Sequence, residues 1–291
     1  MSATSAAATT DRGPGVELRL RRLLNNLGLA FAVLVIVSPA ILVLLWMVSL
    51  SLKTEVENTA YPPVFWPTEP TLNNFATAFQ SSPFGLYTVN SVIVSGTATL
   101  AALAVGVPAG YGIAKAKAHA LGVLVLIARM TPGLSFLIPL FMLFRVMGLV
   151  GTLWSMVITH LVITVPLVVW VMIGFFEDLH PELEEAALTD GCDIWKAFWH
   201  VALPLSRPGV IVAAILAFIF SWNNFIFGAV LAGRETRTLP VAVYNVLTFE
   251  QISWGPLAAA ALVVTLPVLI LTVFVQRHIV TGLASGGIKG G

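Results

Sequence analysis

Charged residues are scarce in this chain of 291 residues. Asp, Glu, Lys and Arg together make up 10% of the sequence, whereas a soluble domain carries roughly 25%. So few charges do not cover a water-exposed surface, which excludes an ordinary soluble globule. The high apolar content excludes a disordered chain. The formal net charge of +1 gives no general attraction to nucleic acid or to acidic substrates.

Cysteine and the common catalytic motifs are also missing. The one cysteine, Cys192, excludes an internal disulfide and a cysteine-based metal cluster. No lysine follows a glycine, so a G-x-x-x-x-G-K-[ST] phosphate loop is excluded, and neither H-E-x-x-H nor G-x-S-x-G occurs. The five histidines are scattered, without a pair at metal-ligand spacing. We therefore expect no catalytic residue, no metal site and no cofactor on this chain.

Long apolar stretches dominate what is present. Hydrophobic residues make up 58% of the sequence, and the mean hydropathy is +0.93. A helix needs roughly 20 apolar residues to cross a membrane. Six stretches qualify, at residues 27–52, 86–114, 120–147, 153–176, 208–232 and 255–276. Because backbone groups find no water in lipid, these stretches predict an all-α integral membrane protein with six transmembrane helices.

None of the six stretches contains Asp or Glu. A carrier driven by protons or sodium usually needs an intramembrane carboxylate. This absence disfavours a stand-alone secondary carrier or channel, which stays open as the alternative function. An intramembrane enzyme is disfavoured as well, because the stretches hold no paired nucleophile and base.

Basic residues orient the predicted spans. Ten Lys and Arg residues fall on the side that holds both termini, and three fall on the other side. The first group is Arg12, Arg19, Arg21, Arg22, Lys115, Lys117, Lys196, Arg207, Arg277 and Lys289; the second is Lys53, Arg234 and Arg237. Since basic residues concentrate in cytoplasmic segments, both termini are predicted to be cytoplasmic.

The predicted organisation follows from these spans. A cytoplasmic tail (1–26) precedes the first transmembrane helix (27–52) and an extracytoplasmic loop (53–85). A five-helix domain (86–276) and a cytoplasmic tail (277–291) complete the chain. The first helix is too long for a signal-peptide core, so we expect a retained anchor. The basic segment 16–26 is either a helix at the lipid surface or a solvated tail.

The cytoplasmic loop 177–207 has the pattern of a helix, a bend and a second helix. Pro181 suits a first helical turn, and three glutamates follow where acids favour the helix dipole. Gly191 supplies a left-handed stop, and a second helix is predicted over 193–201, ended by Pro204. Ala186 and Ala187 give the first helix a small face that suits a groove on another protein. The alternative, a helix resting on lipid, is disfavoured by its negative charge.

This loop resembles the E-A-A loop of ABC importer permeases. The matching residues are Glu185-Ala186-Ala187, Asp190-Gly191, Leu203-Pro204-Leu205 and Pro208. The segments 129–132, 221–223, 238–240 and 286–290 resemble the carbohydrate-type, maltose-permease-like subfamily. Two residues depart from that pattern, since Cys192 stands where relatives usually have alanine and Asn224 where many have an acid.

The resemblance implies a type I ABC importer permease fold with a cytoplasmic coupling helix. It implies an importer for a sugar, a polyol or a related carbohydrate, in which two permeases form the pore. Two copies of an ATPase dock from the cytoplasm, and an extracytoplasmic solute-binding protein delivers the solute. ATP hydrolysis is then expected on the separate ATPase, whose closure alternates the access of the pore.

The same resemblance assigns residues to ATPase contact. Glu185 is expected to pair with a basic group of the ATPase, Ala186 and Ala187 to pack in its cleft, and Gly191 to set the bend. The full coupling set is Glu185, Ala186, Ala187, Asp190, Gly191, Leu203 and Pro204. The tail residues Gly287, Lys289 and Gly290 are expected to reach between the ATPase subunits.

Polar residues inside the spans are candidates for the solute pathway or for gating. Arg129 lies about nine residues into its span, which is roughly 13 Å deep at 1.5 Å per residue. A charge at this depth is costly, so we expect its side chain to face a cavity or the bundle interior. The alternative is a structural arginine bonded to carbonyls freed by Pro132. Trp222, Asn223, Asn224 and Asn90 suit sugar stacking and amide hydrogen bonds, or equally helix–helix contact.

Overall fold

The computed structural model describes residues 14–246 and 253–286 of the chain, and the regular elements in these ranges are all helical. The helices are α1 (Pro14–Leu52), α2 (Glu55–Asn58), α3 (Asn73–Ser81), α4 (Phe84–Lys115), α5 (His119–Met130), α6 (Gly133–Val146), α7 (Leu153–Glu177), α8 (Pro181–Thr189), α9 (Ile194–Ala197), α10 (Leu203–Leu205), α11 (Arg207–Trp222), α12 (Ile226–Leu231), α13 (Leu239–Val246) and α14 (Trp254–Gly286). A π-helical turn, Phe198–Ala202, joins α9 to α10.

Four of the predicted spans are single helices. The helices α1, α4, α7 and α14 each contain a stretch long and apolar enough to cross a membrane. α1 also runs through residues 16–26 without a break, so this basic segment is helical and continues the first span.

The third predicted span is not one straight helix. α5 and α6 meet at an angle of 82°. Thr131 and Pro132 between them are extended, as expected where a proline disfavours helix in the residue before it. The prediction of a continuous helix over 120–147 is therefore wrong, and this span is a bent pair.

The fifth predicted span is also broken. α11 ends at Trp222, and α12 begins at Ile226, after three intervening residues. The side-chain oxygen of Asn224 accepts a hydrogen bond from the Phe227 N–H at 3.2 Å, which competes with continuation of the helix. A continuous helix over 208–232 is therefore wrong as well. At its other end, α11 forms a bent pair with the helical segment Ile194–Leu205. If this pair and the pair of α5 and α6 are each one span, the described chain has up to six spans.

The core of the bundle is the close contact of α4 with α7. A Cβ added at Gly106 would lie 2.7 Å from Cγ1 of Val168, and one added at Gly110 would lie 2.8 Å from Cβ of Met172. These two glycines let the helix backbones approach, as the small-xxx-small pattern of the sequence predicts. α11 packs against both helices and completes this core.

α1 packs against α14, and it is most buried at its C-terminal end. Its apolar length is almost entirely exposed, whereas Ser49, Ser51 and Lys53 are buried. The amide of Asn74 donates hydrogen bonds to the carbonyls of Ser51 (2.9 Å) and Lys53 (2.7 Å). We call this region, together with the Glu55 contacts to the start of α14, the outer clasp.

Candidate functional site

The loop 177–207 folds as the sequence predicts at its first helix and its bend. α8 starts with Pro181 in its first turn and ends at Thr189, where Asp190 caps it. Gly191 has a φ of +88°, the left-handed conformation that glycine adopts without strain. The carboxylate of Asp193 then accepts the Lys196 N–H at 2.7 Å and opens α9. The predicted helix–bend–helix is confirmed.

The second helix of the loop runs further than predicted. α9, the π-helical turn and α10 form one helical segment, Ile194–Leu205, so the helix does not stop at Pro204. In the turn the Leu203 N–H bonds to the Phe198 carbonyl, five residues back. This wider turn relieves the crowding that a proline ring causes with the carbonyl four residues before it. A bend of 76° at Ser206 then leads into α11.

An ion pair between a buried carboxylate and an exposed lysine fixes α8 to the end of α4. Glu184 is buried, and its carboxylate pairs with the Lys115 ammonium and accepts a hydrogen bond from the Tyr111 hydroxyl at 3.2 Å. A buried carboxylate is tolerated only when it is paired in this way. We call these three residues the α8 clamp. The sequence interpretation missed it, because it gave Glu184 no role beyond the helix dipole.

Two aromatic rings pack against Tyr111 of the clamp. The Tyr111 ring lies 5.3 Å from the Phe176 ring and 4.9 Å from the Phe198 ring, between centroids. Phe198, in the π-helical turn, is fully buried. Such ring pairs stabilise a fold beyond the burial of their apolar area. We infer that they hold the loop rigidly against α4, α7 and the π-helical turn.

The opposite side of the loop is free in this chain. Glu185, Ala186 and Asp190 are exposed, as a contact with a second protein requires. Trp195 and Trp199 are also exposed, by 65% and 58%. The sequence interpretation missed these two rings, although tryptophans four residues apart in a predicted cytoplasmic loop are a signal for a binding face.

Two pathway candidates, Arg129 and Asn223, lie on exposed surface beside the helix breaks. The Arg129 guanidinium is placed over the Phe220 ring, 5.6 Å from its centroid. Within the described chain this ring, and not the carbonyls near Pro132, is its partner. Asn223 is exposed at the end of α11. A Cβ on Gly133 would lie 3.4 Å from Cζ of Phe227, so the two breaks adjoin.

The other three candidates make internal contacts. Trp222 is buried, stacks on Phe218 and donates its indole N–H to the Val264 carbonyl at 3.1 Å. The buried Asn90 amide donates to two carbonyls of the segment before α13, and Asn224 caps α12. These contacts favour the helix–helix alternative for Trp222 and Asn90.

His160 links two spans in the middle of the bundle. Its Nδ1 lies 2.6 Å from the Ser221 hydroxyl, beside the break after α11, and its buried Nε2 has no partner among the described residues. The described chain holds no group of three or more His, Cys, Asp or Glu arranged for a metal ion. The predicted ATPase contacts at Gly287, Lys289 and Gly290 lie outside the described residues.

Residues 102–284 match the family described as "Binding-protein-dependent transport system inner membrane component". A sulfoquinovosyl glycerol transport system permease protein of Agrobacterium fabrum is 35% identical over 250 residues, which cover 84% of this chain and 88% of the relative. A trehalose transport system permease protein of Mycobacterium tuberculosis is 33% identical over 261 residues, which cover 88% and 94%.

Solved structures share the fold. A chain from a bacterial ABC transporter involved in the import of the acidic polysaccharide alginate aligns with a TM-score of 0.70 at 20% identity. The alignment covers 94% of this chain and 99% of that one.

Proposed function

Because this chain belongs to the family of binding-protein-dependent transport system inner membrane components, we propose that it is the transmembrane subunit of an ATP-driven importer for a carbohydrate solute. It is a multi-pass inner membrane protein with the type I ABC importer permease fold. The permease relatives whose names mention trehalose and sulfoquinovosyl glycerol support a sugar, a polyol or a related solute.

The anchored coupling helix carries this proposal. α8 is fixed to α4 by the α8 clamp and presents Glu185, Ala186 and Asp190 on its free side. An ATPase that grips this side moves α4 with it, and α4 moves α7 because their backbones are in close contact. Rigid-body transmission of this kind requires stiff contacts at every step.

The broken spans supply the points at which the bundle changes shape. Hinges are short segments that absorb backbone rotation between rigid elements. The breaks at 131–132 and 223–225 adjoin each other and lie beside the exposed Arg129 and Asn223. In the proposed cycle, closure of the ATPase dimer pulls the coupling helices of two permeases together, and the pore changes from inward to outward access.

The remaining parts of the proposal concern partners and orientation. Two ATPase subunits hydrolyse ATP, a second permease completes the pore, and a solute-binding protein delivers the solute from outside. This chain itself has no catalytic role. Both termini are placed in the cytoplasm because the basic residues concentrate on that side.

A glutamate at Gly191 tests the coupling role. The variant Gly191→Glu forces a side chain into a left-handed conformation and adds a charge at the bend, so the docking surface changes while the spans do not. In proteoliposomes with all subunits, we expect inserted protein whose uptake and solute-stimulated ATPase activity are lost. Gly148→Glu is the matched control, because Gly148 also has a positive φ (+68°) but lies before α7, away from α8.

Two results would contradict the proposal. Normal uptake by Gly191→Glu would remove the docking role of the loop. Uptake by this chain reconstituted without an ATPase would favour the alternative, a stand-alone carrier or channel.

A further inference from the structure

A polar cavity of about 540 Å³ lies at the N-terminal end of α4, the end opposite to Lys115 and the α8 clamp. Residues of the α3–α4 junction, including Ser82 and Tyr87, form one wall. Arg234, Glu235, Arg237 and Asn245 form the other wall.

Several features of this cavity favour a negatively charged group. Arg234 is exposed and Arg237 is half-buried, and within the described chain neither has a carboxylate at salt-bridge distance. The 32-residue helix α4 begins there without a side-chain cap, so the positive end of its dipole is unneutralised. The Ser82 hydroxyl, in a residue only 5% exposed, lines the cavity and has no hydrogen-bond partner among the described residues.

The arginine wall is held in place by bonds to α4. The Asn90 amide donates to the carbonyls of Glu235 (2.7 Å) and Arg237 (2.9 Å). The Ser91 hydroxyl accepts the Leu239 N–H at 2.7 Å, and the Arg237 guanidinium donates to the Asn245 side-chain oxygen at 3.4 Å. A binding site whose backbone is fixed before the partner arrives loses less entropy on binding.

We propose that this cavity, the outer arginine site, receives an acidic side chain of the solute-binding protein. The inference rests on the proposed function. A helix of 32 residues is roughly 48 Å long at 1.5 Å per residue, so the site faces the side opposite to the ATPase. The site gives Asp or Glu a bidentate arginine partner. Glu235 adds a charge of opposite sign, which gives the mixed pattern of a protein interface rather than that of a pocket for a free anion.

The test measures docking and transport separately. The complete transporter in nanodiscs is titrated with its solute-binding protein, at low and high salt. We expect the double variant Arg234→Gln/Arg237→Gln to weaken docking roughly tenfold and to flatten its salt dependence. Its ATPase activity without the binding protein stays unchanged. Arg145→Gln is the matched control, because Arg145 is an exposed arginine at the end of α6 outside the cavity.

Restoration of docking identifies the partner group. A lysine in place of the contacting Asp or Glu of the binding protein is expected to recover docking to Arg237→Glu. Unchanged docking of the double variant would overturn the proposal. Binding of free glucuronate to the site in the absence of the binding protein would overturn it in favour of a free anion. An equal loss in Glu250→Gln, a residue of this chain, would overturn it in favour of an internal carboxylate.

The failure of this inference is distinguishable from that of the proposed function. If the binding protein docks to the wild-type transporter and stimulates ATP hydrolysis, the proposed function stands whatever the arginine variants do. If it does not dock to the wild type at all, the proposed function fails first.

Discussion

Two adjacent glutamates of α8 have opposite environments. Glu184 is buried against α4, and Glu185 is exposed on the free side. Successive residues of a helix point about 100° apart, because a turn has about 3.6 residues. The resemblance to E-A-A loops identified Glu185. Nothing in the sequence distinguished Glu184 from its neighbours, because its partners lie about 70 residues earlier and only the folded bundle brings them together.

Removing the charge of Glu184 should uncouple transport from ATP hydrolysis. In Glu184→Gln the Lys115 ammonium loses its carboxylate, and α8 is no longer fixed to α4. We expect the solute imported per ATP hydrolysed to fall roughly tenfold. The measurement is paired uptake and phosphate release in proteoliposomes.

The control for this variant is Glu182→Gln, an exposed carboxylate on the same helix, which should keep the wild-type ratio. The exchange Glu184→Lys/Lys115→Glu should recover part of the ratio, because it restores the pair. Equal ratios in Glu184→Gln and the wild type would show that α8 does not depend on the clamp.

At the scale of elements, hydropathy predicted where the spans are but not which of them break. Prolines did not supply the missing information. Pro108, Pro166 and Pro267 lie inside continuous helices, whereas Pro132 lies at a break of 82°. The break after α11 contains no proline and is capped by Asn224. Neighbouring helices decide whether a freed backbone group finds a partner, and a single sequence does not list those neighbours.

The close contact of α4 with α7 leads to a prediction about the stability of the folded protein. Gly106→Ala places a methyl group 2.7 Å from Cγ1 of Val168, so the helices must separate. We expect a loss of about 1–3 kcal/mol, measured as a lower thermal midpoint of the purified transporter in detergent.

Gly112→Ala is the matched control in the same helix, since a Cβ at Gly112 meets nothing within 4 Å. It should be neutral, or stabilising by up to about 1 kcal/mol through lower chain entropy. A smaller effect of Gly106→Ala than of Gly112→Ala would contradict the close-contact interpretation.

At the scale of the whole molecule, the outer clasp attaches α1 to the rest of the bundle. The Glu55 carboxylate accepts the N–H groups of Trp254 (3.2 Å) and Gly255 (3.4 Å), which are the first residues of α14. The Asn74 amide closes the clasp from α3. Hydropathy predicted the apolar part of α1, residues 27–52, but not these attachments, because they join residues about 20 and 200 positions apart.

Loss of the Glu55 carboxylate should loosen α1. Glu55→Ala removes the protein acceptor of two N–H groups of α14. Because water replaces the carboxylate in part at this exposed helix start, we expect a cost of about 0.5–1.5 kcal/mol. We expect faster protease cleavage within residues 53–72 of the reconstituted transporter. Glu69→Ala, an exposed carboxylate of the same loop, is the control and should be cleaved at the wild-type rate.

The peripheral position of α1, which packs against α14 and not against the central core, has a consequence for how the molecule is built. The family match begins at residue 102, beyond this helix, and the densest packing joins α4, α7 and α11. α1 is therefore a peripheral helix, which evolution can lengthen, redirect or exchange without changing the packing of the core. Chimeras that carry another permease's first helix, joined at residue 53, should transport the same solute as the recipient. Their assembly with a second permease should follow that of the donor of the helix.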